Sequence, residues 1–320
     1  MNFFVTGGAG FIGSTFCDYL LSKNHHVTIY DNFSTGKKNF ISQALNNPNC
    51  TLIEGDLLDE KSLKDSIKNH DVVAHFAANA DVRYGVENTK KDLEQNTIAT
   101  SNVLDVMREN NIKKILFSST GSIYGEAKTI PTPEDYQMPI QTSLYGASKL
   151  ACESLIQAYC EAFDIQSWIF RFVSILGERY THGHVYDFYN SLSKNKDNLK
   201  VLGDGEQKKS YLYVQDCIEY MYWSIEKTND KVNIFNLGTN EYITVKDSIN
   251  FICNEMGVNP KLELTGGDKG WVGDNPFIWL DCSKIFEICG KPKVSIKDGV
   301  KKTVNWLDQN QWVFEDDNNT

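Results

Sequence analysis

The chain has 320 residues, of which 41% are hydrophobic and 23% charged, and this composition excludes a disordered or low-complexity protein. The formal net charge of −10 argues against a dedicated nucleic-acid binder. No apolar run approaches the ~18 residues of a membrane span, so we expect a cytoplasmic protein that contacts neither nucleic acid nor membrane. The eight cysteines form no CxxC pair, which predicts reduced thiols rather than disulfides or a metal site.

Short apolar segments alternate with segments of helical periodicity through the first half of the sequence. Strands are predicted at Asn2–Thr6, His26–Tyr30, Cys50–Glu54, Val72–Phe76, Lys114–Phe117 and Gln166–Phe172. Helices are predicted at Phe11–Lys23, Lys91–Asn110 and Tyr145–Phe163. This alternation is typical of βαβ units and indicates an α/β fold with a parallel sheet. Right-handed crossovers would bring the carboxyl ends of the strands, and any ligand, to one edge.

The second half of the sequence is less regular. We predict a helix at Asp187–Lys194, the tip of a hairpin at Gly203–Lys209, and a strand at Asn233–Leu237 that could rejoin the sheet. The expected organisation is a first domain over residues 1–175, with a return segment near residues 211–240, and a smaller second domain over residues 176–320.

A glycine-rich turn, GGAGFIG at residues 7–13, follows the first predicted strand and opens a helix. Such a turn lets backbone N–H groups approach a pyrophosphate at the positive end of the helix, although a purely structural turn is the alternative. Asp31 ends the second strand, where a carboxylate favours NAD over NADP; Lys37 and Lys38 nearby keep NADP open. Asp56 follows the third strand and could accept from an adenine amino group, cap the next helix, or do both.

A tyrosine and a lysine four residues apart lie on one face of a helix and can serve as an acid–base pair. The spacing occurs at Tyr19/Lys23, Tyr124/Lys128, Tyr145/Lys149 and Tyr242/Lys246. Position favours Tyr145 and Lys149, because only this pair starts a helix that follows the fifth strand. An ammonium and a cationic nicotinamide would lower the pKa of the phenol toward neutrality.

Hydroxyl side chains end the fifth strand, beside the expected position of Tyr145. We choose Thr120 as the residue that hydrogen-bonds the reacting oxygen, with Ser119 and Ser122 as its neighbours. Each of these hydroxyls taken alone is more often a turn or cap group. The accompanying tyrosine and lysine favour the catalytic interpretation.

Several motifs together carry a family resemblance over nearly the whole chain. They are Thr6–Gly13, Tyr30–Gly36, Glu54–Asp56, His75–Ala78, Ser118–Gly125, Tyr145–Lys149, Gly203–Gly205 and Tyr211–Asp216. On these residues the chain resembles the extended short-chain dehydrogenase/reductases, and among them the nucleotide-sugar 4-epimerases of the UDP-glucose 4-epimerase type. The resemblance implies a Rossmann-type doubly wound parallel sheet that holds NAD and a smaller mixed α/β C-terminal domain that binds a nucleotide sugar. It also implies a homodimer formed through the helices near Lys91–Asn110 and Tyr145–Phe163.

The resemblance further implies oxidation at C4 of the sugar, rotation of the 4-keto intermediate, and return of the hydride to its other face. Thr120 and Tyr145 would act on the 4-hydroxyl, and Lys149 would also bind the nicotinamide ribose. The implied cofactor-binding residues are Gly7, Gly10, Phe11, Ile12, Gly13, Asp31, Asn32, Ser34, Thr35, Gly36, Asp56, Leu57, Phe76, Ala77, Ala78, Tyr145 and Lys149. The implied substrate-binding residues are Arg83, Thr120, Ser122, Ser174, Arg179, Lys209 and Asp274. Asn96 would lie near the catalytic centre or be an ordinary polar helix residue.

The sequence departs from the family pattern at several positions. Gly121 and Ser122 replace the Asp-Glu pair of the dehydratases, which argues against 4,6-dehydration. Ser174 stands where an Asn is usual, and Trp271 where an Arg on the diphosphate is common; Lys209 and Arg179 could supply that charge. Ile278 aligns with a gate against N-acetyl substituents, and the segment Leu176–Tyr189, with two histidines, could line the sugar pocket.

Three functions remain open from the sequence. The first is an NAD-dependent 4-epimerase of a nucleotide sugar, with UDP as the default nucleotide and GDP or CDP as alternatives. The second is a net dehydrogenase that releases a 4-keto sugar. The third is a non-catalytic NAD-sensing module, in which the tyrosine and lysine would be dispensable.

Overall fold

The computed structural model describes residues 1–79, 84–137, 140–271 and 274–315. Within these ranges its strands are β1 (Asn2–Thr6), β2 (His26–Asp31), β3 (Cys50–Glu54), β4 (Val72–His75), β5 (Lys114–Thr120), β6 (Gln166–Phe172), β7 (Ser174–Leu176), β8 (Asn198–Val201), β9 (Lys208–Lys209), β10 (Tyr211–Tyr213), β11 (Val232–Leu237), β12 (Ile243–Thr244), β13 (Lys261–Leu264) and β14 (Phe277–Ile278). These strands form one large sheet and three small ones.

The α-helices of the described ranges are α1 (Phe11–Ser22), α2 (Lys38–Ile41), α3 (Glu60–Ser66), α4 (Tyr84–Glu87), α5 (Ala99–Glu109), α6 (Leu144–Phe163), α7 (His184–Lys194), α8 (Val214–Lys227), α9 (Val245–Met256), α10 (Ser283–Cys289) and α11 (Ile296–Gln309). A π-helix (Leu93–Ile98) runs directly into α5. Short 3-10 helices lie at Ala44–Asn46, Gly121–Tyr124 and Gln311–Phe314. None of the helices in the described part of the chain is long and apolar enough to cross a bilayer.

The large sheet has seven parallel strands in the order β11-β6-β5-β4-β1-β2-β3. The order reverses beside β1, because β2 lies on one side of it and β4 on the other. A crevice opens at the carboxyl ends of strands at such a switch point, and ligands of doubly wound sheets bind there. The predicted α/β fold with a Rossmann-type parallel sheet is therefore confirmed.

Alternation along β1 explains why the sheet is covered on both faces. Phe3 and Val5 point into one apolar cluster, which includes Phe16 of α1, and Phe4 points into the other, which includes Val103 of α5. Successive side chains of a strand face opposite sides, so a strand that is apolar at consecutive positions needs helices on both faces. The two clusters are the two interfaces of a three-layer α/β/α unit.

The chain after β7 builds the three small sheets and returns once to the large one. Tyr211–Tyr213 pairs with Ser174–Leu176, and Val232–Leu237 adds to the large sheet beside β6, as predicted for the late strand. The predicted hairpin tip at Gly203–Lys209 was wrong. Lys208–Lys209 instead pairs with two strands from far along the chain, β12 and β14, so its partners are not neighbours in sequence.

Two helices differ at their boundaries from the helices predicted by hydrophobic periodicity. The predicted helix Lys91–Asn110 is a π-helix followed by α5, because the apolar spacing alone does not reveal one wide turn. Helix α6 begins one residue before the predicted Tyr145, since the Ser143 hydroxyl accepts from the Gly146 N–H at 3.0 Å and fixes the start. The domain limits at residues 175 and 176 stay a prediction.

Candidate active site

A cavity of about 1150 Å³ opens at the carboxyl edge of the large sheet and extends under the small sheets. Every residue predicted to bind the cofactor lines it, from the glycine turn after β1 to Tyr145 and Lys149 on α6. The substrate candidates Ser122, Ser174, Lys209 and Asp274 line it as well. The cavity therefore brings both predicted sets of residues into one space.

The glycine turn forms a cradle that side chains would fill. Gly7 has φ +68°, and a Cβ there would lie 2.6 Å from the backbone nitrogen of Ala77, at the end of the neighbouring strand β4. Gly10 precedes α1 without a capping side chain, and the first turn of α1 has no acidic residue. A helix start of this kind attracts a phosphate group, so the turn fits the pyrophosphate of a dinucleotide.

Asp31 lies at the end of β2, is 8% exposed and lines the cavity. Its carboxylate accepts from the N–H of Ala9 at 2.9 Å and from the N–H of Phe33 at 2.8 Å. Burial raises the pKa of this carboxyl, and the two N–H bonds oppose the rise. These bonds fix the carboxylate beside the glycine turn, where it can accept from both hydroxyls of an adenosine ribose.

We expect Asp31→Asn to weaken NAD binding by about 30-fold or more. The amide keeps the shape of the carboxylate, but its NH₂ group faces backbone N–H groups and ribose hydroxyls that need an acceptor. Discrimination against NADP should fall at the same time, since the charge that repels a 2′-phosphate is removed. Fluorescence titration of the purified protein with each dinucleotide measures both effects. Unchanged preference for NAD in this variant would contradict the role of Asp31.

Asp56 does not cap the following helix. Asp59 is the N-cap of α3, and its carboxylate accepts from Ser62 N–H at 3.1 Å. The two Asp56 oxygens accept from the N–H of Leu58 at 2.9 Å and from the side chain of Asn32 at 3.0 Å. Asp56 therefore closes a local turn at the cavity wall, and contact with an adenine amino group stays a prediction.

Tyr145 lies in the first turn of α6, half-buried at the cavity wall. The hydroxyl of Thr120, the last residue of β5, lies near its phenol. The Thr120 hydroxyl also accepts from the N–H of Ser122 at 3.1 Å. Thr120 is thus behind Tyr145, while Ser119 and Ser122 line the cavity itself.

Lys149 is 2% exposed, one helical turn after Tyr145, and its ammonium donates to the backbone oxygen of Ser118 at 2.8 Å. It also lies 4.7 Å from the centre of the Phe117 ring. Burial lowers the Lys149 pKa to about 8. The strand end therefore holds the ammonium in place at the cost of desolvating it.

The expected lowering of the phenol pKa is not a property of the tyrosine–lysine pair alone. Burial raises the pKa of Tyr145 to about 12, and the nearby Thr120 hydroxyl only partly offsets this. The ammonium of Lys149 is directed at Ser118 rather than at the phenol, which explains why it contributes little. A positive charge in the cavity beside Tyr145 is therefore needed to bring the phenol toward ionisation.

The other tyrosine–lysine pairs do not line the cavity. Tyr19 packs edge-on against Tyr222, and the buried phenol of Tyr124 donates to Asn236 at 2.8 Å. Tyr242 packs against Phe277. Of the four pairs with equal spacing, Tyr145 and Lys149, which follow the fifth strand, are therefore the pair that lines this cavity.

Asn96 lies in the π-helix and holds neighbouring elements together rather than lining the cavity. Its side-chain oxygen accepts from the Asn79 N–H at 2.8 Å, and its amide donates to the Ser148 hydroxyl at 2.9 Å. Ser148 precedes Lys149, and Asn79 follows the end of β4. Asn96 therefore ties the catalytic helix to the strand end that borders the glycine turn.

Of the described substrate candidates, Thr120 and Arg179 are not found in the cavity lining. Arg179 has φ +69° and its guanidinium pairs with Asp18 of α1 at 2.6 Å, so it braces α1. Arg83 lies outside the described residues. Lys209 is in the cavity, but its ammonium contacts Asp274 at 2.9 Å and the backbone oxygen of Asn275. Burial lowers the Lys209 pKa, and Asp274 opposes this.

Several cavity residues had no signal in the sequence. They include Gln95, Thr142, Lys200, Leu202 and Val245. The segment with two histidines does line the cavity, as expected, and the His184 ring is hydrogen-bonded to Ser248 at 2.7 Å. Burial lowers the His184 pKa to about 3, so this ring is neutral at physiological pH. Ile278 also lines the cavity.

All eight cysteines are unpaired, and none of them lines the cavity. Within the described ranges, no three His, Cys, Asp or Glu side chains group as metal ligands would.

Comparisons with known proteins agree with this geometry. The family model described as "NAD dependent epimerase/dehydratase family" matches residues 3–238. A Methanocaldococcus jannaschii protein named "Putative UDP-glucose 4-epimerase" is 35% identical over 314 residues, which cover 96% of this chain and 98% of that protein. A UDP-N-acetyl-alpha-D-glucosaminuronate decarboxylase of Bacillus cytotoxicus is 30% identical over 95% of this chain and 96% of its own length.

Among solved structures, UDP-glucuronic acid 4-epimerase from Bacillus cereus in complex with UDP-glucuronic acid and NAD is similar over nearly the whole fold. The TM-score is 0.87 at 28% identity, and the match covers 97% of this chain and 99% of that one. The names of these relatives thus include both 4-epimerases and a decarboxylase.

Proposed function

This chain belongs to the NAD dependent epimerase/dehydratase family, and from that membership we propose that it is a 4-epimerase of a nucleotide-activated sugar. Its cofactor is NAD. The observation that carries the proposal is that Tyr145 and Lys149 line one cavity with the glycine turn and Asp31. This arrangement supports a reaction in which a proton acceptor and a dinucleotide act on the same sugar carbon.

NAD, when bound, supplies the chemistry of accepting and returning a hydride at C4 of the sugar. The phenolate of Tyr145 takes the proton of the 4-hydroxyl and later gives it back, and Thr120 orients the phenol. Lys149 keeps a positive charge next to the strand end, and it lies within the cavity lining where a ribose can contact it. The walls of the cavity retain the 4-keto sugar while it rotates to present its other face to the cofactor.

The residues after Thr120 support epimerisation over water elimination. Gly121 and Ser122 offer no carboxyl group there. A Cβ on Gly121 would lie 3.3 Å from the backbone oxygen of Phe172, so the strand end is also too close to its neighbour for a larger side chain to fit without a shift. We propose UDP as the nucleotide, with GDP and CDP as the alternatives to be tested.

The test is incubation of the NAD-loaded protein with UDP-glucose, UDP-N-acetylglucosamine and UDP-glucuronic acid, followed by NMR of the sugar. We expect interconversion at C4 of at least one substrate with no net NADH absorbance. Sustained NADH formation would identify the dehydrogenase alternative. Release of carbon dioxide from the glucuronic acid substrate would identify a decarboxylase and contradict the proposal.

We also propose that the protein is a homodimer formed through α5, its preceding π-helix and α6. Large apolar side chains on these adjacent helices are exposed, with Leu93 52%, Ile98 41% and Leu144 45% accessible. Exposed apolar side chains grouped on one surface are typical of interfaces. Light scattering of the purified protein measures its mass, and a single-chain mass at micromolar concentration would contradict the proposal. The cytoplasmic location stays a prediction.

A further inference from the structure

A buried ion pair lies directly behind the catalytic wall of the cavity. Glu153 is 0% exposed and stands one turn after Lys149 on the same face of α6. Arg171 on β6 meets it with two nitrogens: Nη2 is 2.7 Å from one carboxylate oxygen, and Nε is 3.1 Å from the other. A buried pair of this kind adds little net stability compared with apolar packing, so its position calls for another explanation.

Ser119 connects this pair to the cavity. It is the neighbour of Arg171 across the β5–β6 register, and it lines the cavity although it is only 2% exposed. Its hydroxyl hydrogen-bonds Glu153 Oε1. The chain thus runs from Arg171 through a buried carboxylate to a hydroxyl in the cavity wall.

The charge on Glu153 decides the direction of that bond. A carboxylate in an ion pair with a guanidinium offers only acceptor oxygens. The proton between Ser119 and Glu153 therefore comes from the serine, and it points away from the cavity. With its proton given to Glu153, the Ser119 hydroxyl has only lone pairs left, and it can act as an acceptor toward the cavity that Ser119 lines.

The guanidinium is fixed from its other side as well. Arg171 Nη1 donates to the Tyr124 phenol and to the backbone oxygen of Glu134, both at 2.7 Å. The Tyr124 phenol in turn donates to Asn236 on the return strand β11. With all these donors used, Arg171 cannot turn away from Glu153 without leaving buried groups unpaired.

We propose that Glu153 and Arg171 are positioning residues that hold Ser119 as a hydrogen-bond acceptor for an N–H or O–H group of the bound ligands. The donor is either the carboxamide of the nicotinamide or a hydroxyl of the sugar, which present the same chemistry. If the donor is a sugar hydroxyl, the inference rests on the proposed function. If the donor is the carboxamide, it requires only that the protein binds NAD. A hydroxyl that was free to rotate would donate or accept equally well and would orient neither group.

The experiment is a double-mutant cycle of Ser119→Ala and Glu153→Gln, with NAD affinity, KM and kcat measured for each variant. Ser119→Ala should cost about tenfold, in NAD affinity if the donor is the carboxamide, and in KM or kcat if it is a sugar hydroxyl. Glu153→Gln should cost about as much in the wild-type background and less than threefold in the Ser119→Ala background. Thermal melting of every variant confirms folding, and Ser154→Ala, on the exposed face of α6, is the control.

Coupling of the two substitutions supports the proposal. Additive losses, or a Ser119→Ala variant equal to wild type in all three constants, would overturn it. If Glu153→Gln does not fold, Ser119→Thr replaces it, because it restores the hydroxyl and should recover most of the loss of Ser119→Ala. Failure of that rescue would also count against the proposal. Because NAD affinity is measured without substrate, a wrong assignment of the reaction would not affect this readout.

Discussion

Tyr145→Phe should lower turnover by about 10³-fold or more while NAD remains bound at nearly wild-type affinity. The substitution removes only the phenol oxygen, which is the group that exchanges a proton with the sugar hydroxyl. The ring still fills the same place at the start of α6. Single-turnover kinetics and NAD titration on the same preparation measure the two quantities separately.

The matched control is Tyr242→Phe, because Tyr242 has the same four-residue spacing to a lysine but packs on Phe277 outside the cavity. It should turn over like the wild type. If Tyr145→Phe also kept wild-type turnover, the proton acceptor would have to be another group. The non-catalytic alternative, a module that only senses NAD, predicts that outcome.

Lys149→Met should lower turnover by about 10³-fold, as Tyr145→Phe does. It should nevertheless raise the free energy of unfolding of the NAD-free protein at pH 7 by about 2 kcal/mol. Burial lowers the Lys149 pKa from 10.5 to about 8, so the folded protein carries the cost of an unfavourably buried charge. Methionine fills similar volume without that charge. The lost bond to the Ser118 oxygen offsets part of the gain.

The lowered pKa of Lys149 also determines how the stability of the wild-type protein changes with pH. Between pH 8 and 10.5 the unfolded chain binds a proton on Lys149 that the folded chain does not, so wild-type stability rises with pH across that window. The stability advantage of the variant should therefore be largest below pH 8 and be lost by pH 10.5, where only the missing bond to Ser118 still distinguishes the two proteins. Melting temperatures at a series of pH values test this, and a variant less stable than wild type at pH 7 would contradict it.

Local patterns in the sequence were enough to predict the cofactor side of the cavity. The glycine turn and Asp31 each act within one βα unit, so their geometry follows from nearby residues. The same is true of Tyr145 and Lys149, which share one helix face. Choosing them among four equal pairs required only the order of elements along the chain.

Contacts that depend on register or on distant segments could not be predicted. The link from Ser119 to Glu153 and Arg171 needs the alignment of β5 with β6 and the rotation of α6 above them. Arg179 was assigned to the substrate because it is basic and near the cavity segment, yet its partner Asp18 lies 161 residues earlier. The positive charge of an arginine therefore does not determine whether it pairs with a carboxylate of the protein or with the substrate.

The return strand β11 has a consequence for how the protein is synthesised. Its residues, Val232–Leu237, come more than 60 positions after β6, the strand that they cover. Until they leave the ribosome, β6 is an exposed sheet edge that can pair with other chains. Truncation just before residue 232 should therefore yield aggregates rather than a folded nucleotide-binding unit, although the glycine turn, Asp31, Tyr145 and Lys149 would all still be present.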